Sequence, residues 1–288
     1  MMIVVTGATG QLGSQIVDRL LDRLSPEAVG VSVRDADRAA GLAERGVRVR
    51  AGDFTDPATL GHAFEGADKV LIVSAAIRGP GAFVANRAAI DAARAAGASR
   101  ILYTSHQAAS RDSLFAAQPT HAATEEHLAG LGVPFTSLRN GFYASTLSFS
   151  IGTALETGQL VAPADGPVSW TAHADLAEAA AVALTEDGVL DGVTAPLTAS
   201  EMLDLEAVAA ILSDITGRTV ERVVADDDQW RAAAIERGMP AAAADFTLGI
   251  YRAAREKEFA VTDPTLETVI GHRPTPVRTV LEAIVAQR

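Results

Sequence analysis

The sequence predicts an α/β protein: a doubly wound parallel sheet followed by a smaller mixed α/β C-terminal part. Three observations point there. A glycine-rich turn, Thr6-Gly7-Ala8-Thr9-Gly10-Gln11-Leu12-Gly13, stands between an apolar run and a helical pattern. Strand-like and helix-like segments then alternate as far as Leu138. Beyond Asn140 the alternation gives way to mostly helical segments. We expect a nucleotide-binding domain over residues 1–150 and a substrate-binding part over 151–288, with a segment near 168–190 packing back on the first domain.

The elements follow in order. Ile3-Val4-Val5 is the first strand, and Ser14 to Leu21 has the apolar spacing of a helix. Strand, glycine turn and helix form the opening of a Rossmann-type dinucleotide-binding unit. Gly7 allows the tight turn, Gly10 lets backbone approach a pyrophosphate, and Gly13 lets helix and strand pack closely. Val29 to Val33 is the second strand and Asp37 to Glu44 a helix; Val47 to Arg50 and Pro57 to Phe64 repeat the pair. Lys69 to Ser74 is a buried fourth strand, because its apolar run has no polar alternation. Ala82 to Ala96 is helical and stops at Gly97. Arg100 to Thr104, a helix from Thr120 to Leu131, and Phe135 to Leu138 complete the alternation. In the second half, Val168 to Trp170, Val193 to Leu197 and Thr219 to Val224 read as short strands. A helix is expected from Ser200, with serine as its cap, to Gly217. The Ala241 to Ala244 tract reads as helix, and a last amphipathic helix runs from Val277 to Val285.

Composition narrows the function. A formal net charge of -12 without a basic cluster argues against a nucleic-acid surface. The longest apolar run, Val70 to Ile77, is too short to span a bilayer, and no signal peptide is visible. There is no cysteine, and the six histidines are scattered, so neither thiol chemistry nor a metal centre is expected. A cytoplasmic location follows as the expectation, and homo-oligomerisation is left open.

A dinucleotide site separates NADP from NAD at the end of the second strand, where arginine accommodates a 2′-phosphate and an acid binds the ribose hydroxyl. Arg34 follows that strand directly, with Asp35 beside it and Arg38 a turn later. This favours NADPH, with NADH as the alternative. Asp53 lies past the third strand, placed either to accept from an adenine amino group or to cap the next helix, for which Asp56 is better placed. Ser74 and Ala75 end the fourth strand, where small residues let a cofactor pass close to the backbone. The expected cofactor residues are Gly7, Thr9, Gly10, Gln11, Leu12, Gly13, Arg34, Asp53, Ser74 and Ala75.

These motifs occur in order with Tyr103-Thr104-Ser105, His121 to Glu125 and Leu138-Arg139-Asn140-Gly141-Phe142-Tyr143. Asp175-Leu176-Ala177, Leu197 to Glu201, Asp263-Pro264-Thr265 and Gly271-His272-Arg273-Pro274 continue the series. Together they resemble the NmrA-like branch of the atypical short-chain dehydrogenase/reductases, most of all its bacterial NAD(P)H:quinone oxidoreductases. The resemblance implies a substrate cleft between two domains and NADPH held by Gly7, Gly10, Gln11, Leu12, Gly13 and Arg34. Where short-chain dehydrogenases carry Tyr-x-x-x-Lys, this chain has His121 and Glu125, which puts an alcohol dehydrogenase mechanism aside.

A quinone or similar flat, conjugated acceptor suits that departure, because hydride transfer to it then needs mainly positioning. Candidate catalytic groups are His121 as acid or orienting donor, Asn140 as an amide donor, and Tyr143 as a stacking or hydroxyl group. Glu125, one helical turn after His121, is either its partner or a helix-surface carboxylate. Ser105 and His106 are weaker candidates. His173 and Asp175 suggest a pair, although Asp175 also fits a helix first turn. The alternative function is an NADP(H)-binding redox sensor or regulator without turnover.

Overall fold

A seven-stranded sheet, parallel throughout, forms the centre of the computed structural model, which describes residues 1–79 and 81–287. Its first half comprises β1 (Ile3–Thr6), α1 (Gln11–Leu21), β2 (Val29–Val33), α2 (Ala40–Glu44), β3 (Arg48–Ala51) and α3 (Leu60–Phe64). There follow β4 (Lys69–Ile72), α4 (Gly81–Ala95), β5 (Arg100–His106), α5 (Gln118–Ala129) and β6 (Phe135–Asn140). The remaining elements are β7 (Phe142–Tyr143), α6 (Ser148–Thr157), β8 (Gln159–Pro163), β9 (Trp170–Thr171), α7 (His173–Thr185) and β10 (Gly192–Val193). The chain closes with α8 (Leu205–Thr216), β11 (Glu221–Ala225), α9 (Asp227–Glu236), α10 (Ala241–Arg255), α11 (Thr265–Ile270) and α12 (Val277–Ala286).

The strand order is β10-β6-β5-β4-β1-β2-β3. Chain direction across the sheet reverses between β1 and β4, so a crevice opens beyond their carboxyl ends. Ile3, Val5, Val29, Val31 and Leu71 turn one sheet face towards α1 and α7. Val4, Val70, Ile72, Ile101 and Tyr103 line the other with α3, α4 and α5. A separate core holds the C-terminal elements, with Phe142, Trp170, Leu212, Leu248 and Phe259 among its members. Small residues of α7, Ala177, Ala180, Ala181 and Ala183, let it lie close against Leu12, Ile16 and Leu20 of α1. Among the described residues no helix is long and apolar enough to cross a membrane.

Three local expectations are corrected. Residues 200–203 are not helical: α8 starts at Leu205, and Asp204 caps it by accepting from the Ala207 N–H at 2.9 Å. The preceding residues are drawn elsewhere. Glu201 accepts from the Val277 N–H at 2.8 Å, and the Leu203 carbonyl accepts from the Trp170 indole at 2.9 Å. Asp56 stands before the 3-10 turn Pro57–Thr59 without a side-chain capping bond, because Thr59 closes that turn through the Asp56 carbonyl. Of the strand expected from Val193 to Leu197, only Gly192–Val193 joins the sheet, and Leu197 bridges Asn140 alone.

Candidate active site

The glycine turn leaves β1 through Gly7, whose φ of 63° is a left-handed conformation that favours glycine. A Cβ on Gly13 would stand 2.2 Å from the Gly7 carbonyl oxygen, so the first turn of α1 rests directly on the loop. Gly10 caps α1 without a side chain, its N–H donating to Gly7 and its carbonyl receiving Ser14. The N–H groups of Gln11, Leu12 and Gly13 therefore have no partner among the described residues. Thr9, Gly10 and Gln11 are exposed, whereas Leu12 sends its side chain into the core and offers only its N–H. Unpaired amides at a helix N-terminus form an anion site.

Arg34 and Arg38 are exposed at the end of β2 and make no ion pair among the described residues. Asp35, also exposed, accepts from the Asp37 N–H through one carboxylate oxygen at 3.1 Å. Asp53 commits one oxygen to the Thr55 N–H and hydroxyl, both at 2.8 Å. Those bonds, with the nearby Arg34 charge, hold its carboxyl below the usual carboxylate range. Ser74 and Ala75 follow β4, their N–H groups fixed by Thr104 Oγ1 at 2.9 Å and Asn86 Oδ1 at 2.8 Å. One turn of loop later, the Arg78 guanidinium lies 5.0 Å from the centre of the Phe246 ring on α10.

The other wall of the crevice is built from β5, α5 and the segment after β6. His106 ends β5 in register with Asn140 at the end of β6. Asn140 is 2% exposed, and its Oδ1 has no hydrogen-bond partner among the described residues. An amide oxygen buried in this state is costly, and a donor reaching it would offset that cost. Tyr143 lies against His173, ring centres 4.4 Å apart; burial raises its hydroxyl pKa, and the Asn140 amide opposes the shift. Gly141 permits the chain to turn between them, since a Cβ there would meet Thr171 Oγ1 at 2.0 Å.

His121 does not pair with Glu125. Its Nδ1 lies 2.8 Å from the Tyr103 hydroxyl, and burial lowers its pKa to about 4. Burial thus favours its uncharged form and disfavours a role as an imidazolium acid. Glu125 is not on the surface either. At 6% exposure it accepts from Ser105 (2.7 Å), Ser137 (3.1 Å) and the Arg139 guanidinium (2.7 and 3.0 Å). The pair joins α5 to β5 and β6 immediately beside Asn140. Glu125→Gln is expected to cost about 2 kcal/mol, below the range for a fully buried pair because Arg139 is part exposed. Denaturant unfolding of the variant checks this, and a change under about 0.5 kcal/mol would remove the structural role. His173 and Asp175 form no pair: Asp175 receives the Thr275 N–H at 2.7 Å and its hydroxyl at 3.0 Å.

Sequence reasoning missed Gln107. Its buried amide accepts from the Phe142 N–H (3.1 Å) and the Ser169 hydroxyl (2.9 Å) and donates to the Phe259 carbonyl (2.9 Å). A glutamine directly after a strand carries no pattern that announces partners so distant in sequence.

The residues present fit a dinucleotide. The free amides of α1 suit a pyrophosphate, the two unpaired arginines a 2′-phosphate, and the orphaned Asn140 oxygen a carboxamide N–H. Comparison with known proteins agrees with the geometry. Quinone oxidoreductase 2 of Escherichia coli (strain K12) is 34% identical over 98% of this chain and 97% of its own. An NAD(P)H azoreductase of Xenophilus azovorans is 32% identical over 98% of this chain and 96% of its own. The crystal structure of the E. coli quinone oxidoreductase QOR2 complexed with NADPH superposes with a TM-score of 0.93 at 31% identity, covering 99% of this chain and all of that one. The model of the NmrA-like family matches residues 1–273. This chain therefore belongs to the NmrA-like family.

Proposed function

We propose that the chain is an NADPH-dependent oxidoreductase that reduces a quinone or a similar conjugated carbonyl acceptor. The observation that carries this reading is the row of unpartnered N–H groups at Gln11, Leu12 and Gly13, set at the switch point of the sheet. The sequence relatives, a quinone oxidoreductase and an azoreductase, support it from outside the structure. Bound there, NADPH supplies a hydride from its dihydronicotinamide ring. The chain's own part is to bind, orient and exclude water. Gly7, Gly10 and Gly13 shape the phosphate cradle, and Arg34 receives the 2′-phosphate. Asn140 would hold the carboxamide, and Tyr143 would close the crevice beside it. No tyrosine–lysine pair is required, because a quinone accepts hydride without prior protonation.

The direct test is NADPH consumption by the purified protein with a panel of quinones. Tight NADPH binding without turnover on any of them would instead favour a redox sensor. Arg34→Asp tests the cofactor assignment. It is expected to weaken NADPH binding by roughly tenfold to a hundredfold while NADH binding holds or improves, since it exchanges a guanidinium–phosphate contact for repulsion. Unchanged NADPH affinity would move the 2′-phosphate away from Arg34.

A further inference from the structure

We propose that His106 and His121 together form an uncharged hydrogen-bond donor pair that receives the carbonyl oxygen of a neutral, flat acceptor. This rests on the reductase reading and names the groups that would hold its substrate. The two rings lie side by side, centres 6.2 Å apart and 30° from parallel. Hydrogen bonding fixes the proton position on each.

For His106 the argument is short. Its Nδ1 accepts from the Ala108 backbone N–H at 3.2 Å, and a backbone amide can only donate. The Gln118 side chain approaches the same nitrogen at 2.7 Å. With the Gln118 amide nitrogen facing the ring, both contacts place the proton of His106 on Nε2.

For His121 a chain of bonds leads to the same result. The Ala75 N–H donates to Asn86 Oδ1 at 2.8 Å, which fixes the orientation of that amide. Asn86 Nδ2 then donates to the Tyr103 oxygen at 3.1 Å. The Tyr103 hydroxyl neighbours both Thr124, whose own proton goes to the Thr120 carbonyl, and His121 Nδ1 at 2.8 Å; its proton is assigned to His121. His121 thus also carries its proton on Nε2. Neither Nε2 has a partner among the described residues, and both side chains are half-buried.

The surroundings keep both rings neutral. The titratable groups that act on them are His121 on His106 and Glu125 on His121, and the Tyr103 hydroxyl touches His121. Glu125 is occupied by Arg139, Ser105 and Ser137, so no carboxylate touches either ring. Burial, and then the neighbouring His121, push His106 well below the ordinary histidine range. Phe115, Phe142 and Phe259 present themselves edge-on to His106 at 6.4, 5.3 and 5.6 Å, an apolar wall suited to an uncharged ring system.

The chemistry balances without proton loss from either imidazole. The acceptor gains two electrons and a proton as hydride, NADPH becomes NADP+, and one acceptor oxygen becomes an oxyanion. The two N–H groups stabilise that charge where it develops, and water then supplies the proton that completes the hydroquinone. Asn86, Tyr103 and Gln118 are positioning residues, holding the tautomers without touching substrate.

Nitrogen-15 NMR of histidine-labelled protein tests the pair directly. The expected result is two imidazoles in the Nε2–H form that do not titrate between about pH 5.5 and 8.5, assigned with His106→Asn and His121→Asn. Menadione added to the NADP+ complex is expected to shift both Nε2 resonances. His106→Asn, which places no N–H near the Nε2 position, should lower kcat/KM by roughly tenfold to a hundredfold with NADPH Kd unchanged, and His106→Gln, which keeps one there, should lose less. His121→Gln and His121→Asn repeat the comparison if a His106 variant fails to fold. An Nδ1–H tautomer, titration of either ring near pH 6.5, or no response to menadione would overturn the proposal. Shifts on menadione without turnover would keep the pair and remove the reductase reading.

Discussion

Gly13→Ala destabilises the free protein and weakens NADPH binding at least thirtyfold. The added methyl would stand 2.2 Å from the Gly7 oxygen, 2.7 Å from the Gly7 carbonyl carbon and 3.1 Å from Ala8 Cα, all of them backbone. No side chain can rotate away, so α1 must lift off the loop. Overpacking of this kind costs about 1–3 kcal/mol, and the same movement misdirects the N–H groups of Gln11 and Leu12. A loss of about 2 kcal/mol in binding is the thirtyfold factor. Gly10→Ala provides the contrast. Its Cβ meets only the Gly7 oxygen, at 3.3 Å, so the free protein should keep its stability while cofactor approach suffers. Isothermal titration with NADPH and denaturant unfolding separate the two effects. Equal unfolding curves for Gly13→Ala and the unaltered protein would refute the packing argument.

Gln107→Ala lowers stability by about 2–4 kcal/mol, the sum of a buried donor left unpaired and the cavity it leaves. The Phe142 N–H loses its acceptor outright. The Phe259 carbonyl keeps the Ser169 N–H at 3.2 Å and is less affected. Because Phe142 lies between Asn140 and Tyr143, acceptor KM should rise as well. Phe149→Ala, at a side chain 89% exposed, serves as the control and should change stability by less than about 0.5 kcal/mol. A Gln107→Ala protein as stable as that control would show that the amide cluster contributes nothing.

The dinucleotide-binding unit was legible in the sequence because its rules are local. A strand, a turn needing a left-handed residue and an amphipathic helix are specified within the first twenty-one positions. Helix ends at Gly97 and Gly217 were legible for the same reason, as both take positive φ. What escaped depends on partners brought together by the sheet. Spacing along α5 suggested that His121 faces Glu125, yet Tyr103 of β5 takes the one and Arg139 of β6 takes the other. The start of α8 was misplaced because Ser200 and Asp204 are both capping residue types, and only the demands on Glu201 and Leu203 decide between them. His106 stood among the weaker candidates, because its contacts with Ala108 and Gln118 carry no sequence signal.

The cover that α7 gives α1, and the edge that β10 gives β6, impose an order on synthesis. Leu184 and Leu190 belong to the same buried layer as Ile16 and Val31. A nascent chain that has emerged only as far as Asn140 holds every residue of the phosphate cradle but leaves that layer open to water on one side. Apolar surface of this kind invites non-native association until the missing pieces arrive. Completion of this layer during synthesis is therefore expected late, after Leu266 and Ile270 of α11, which share it, have also emerged.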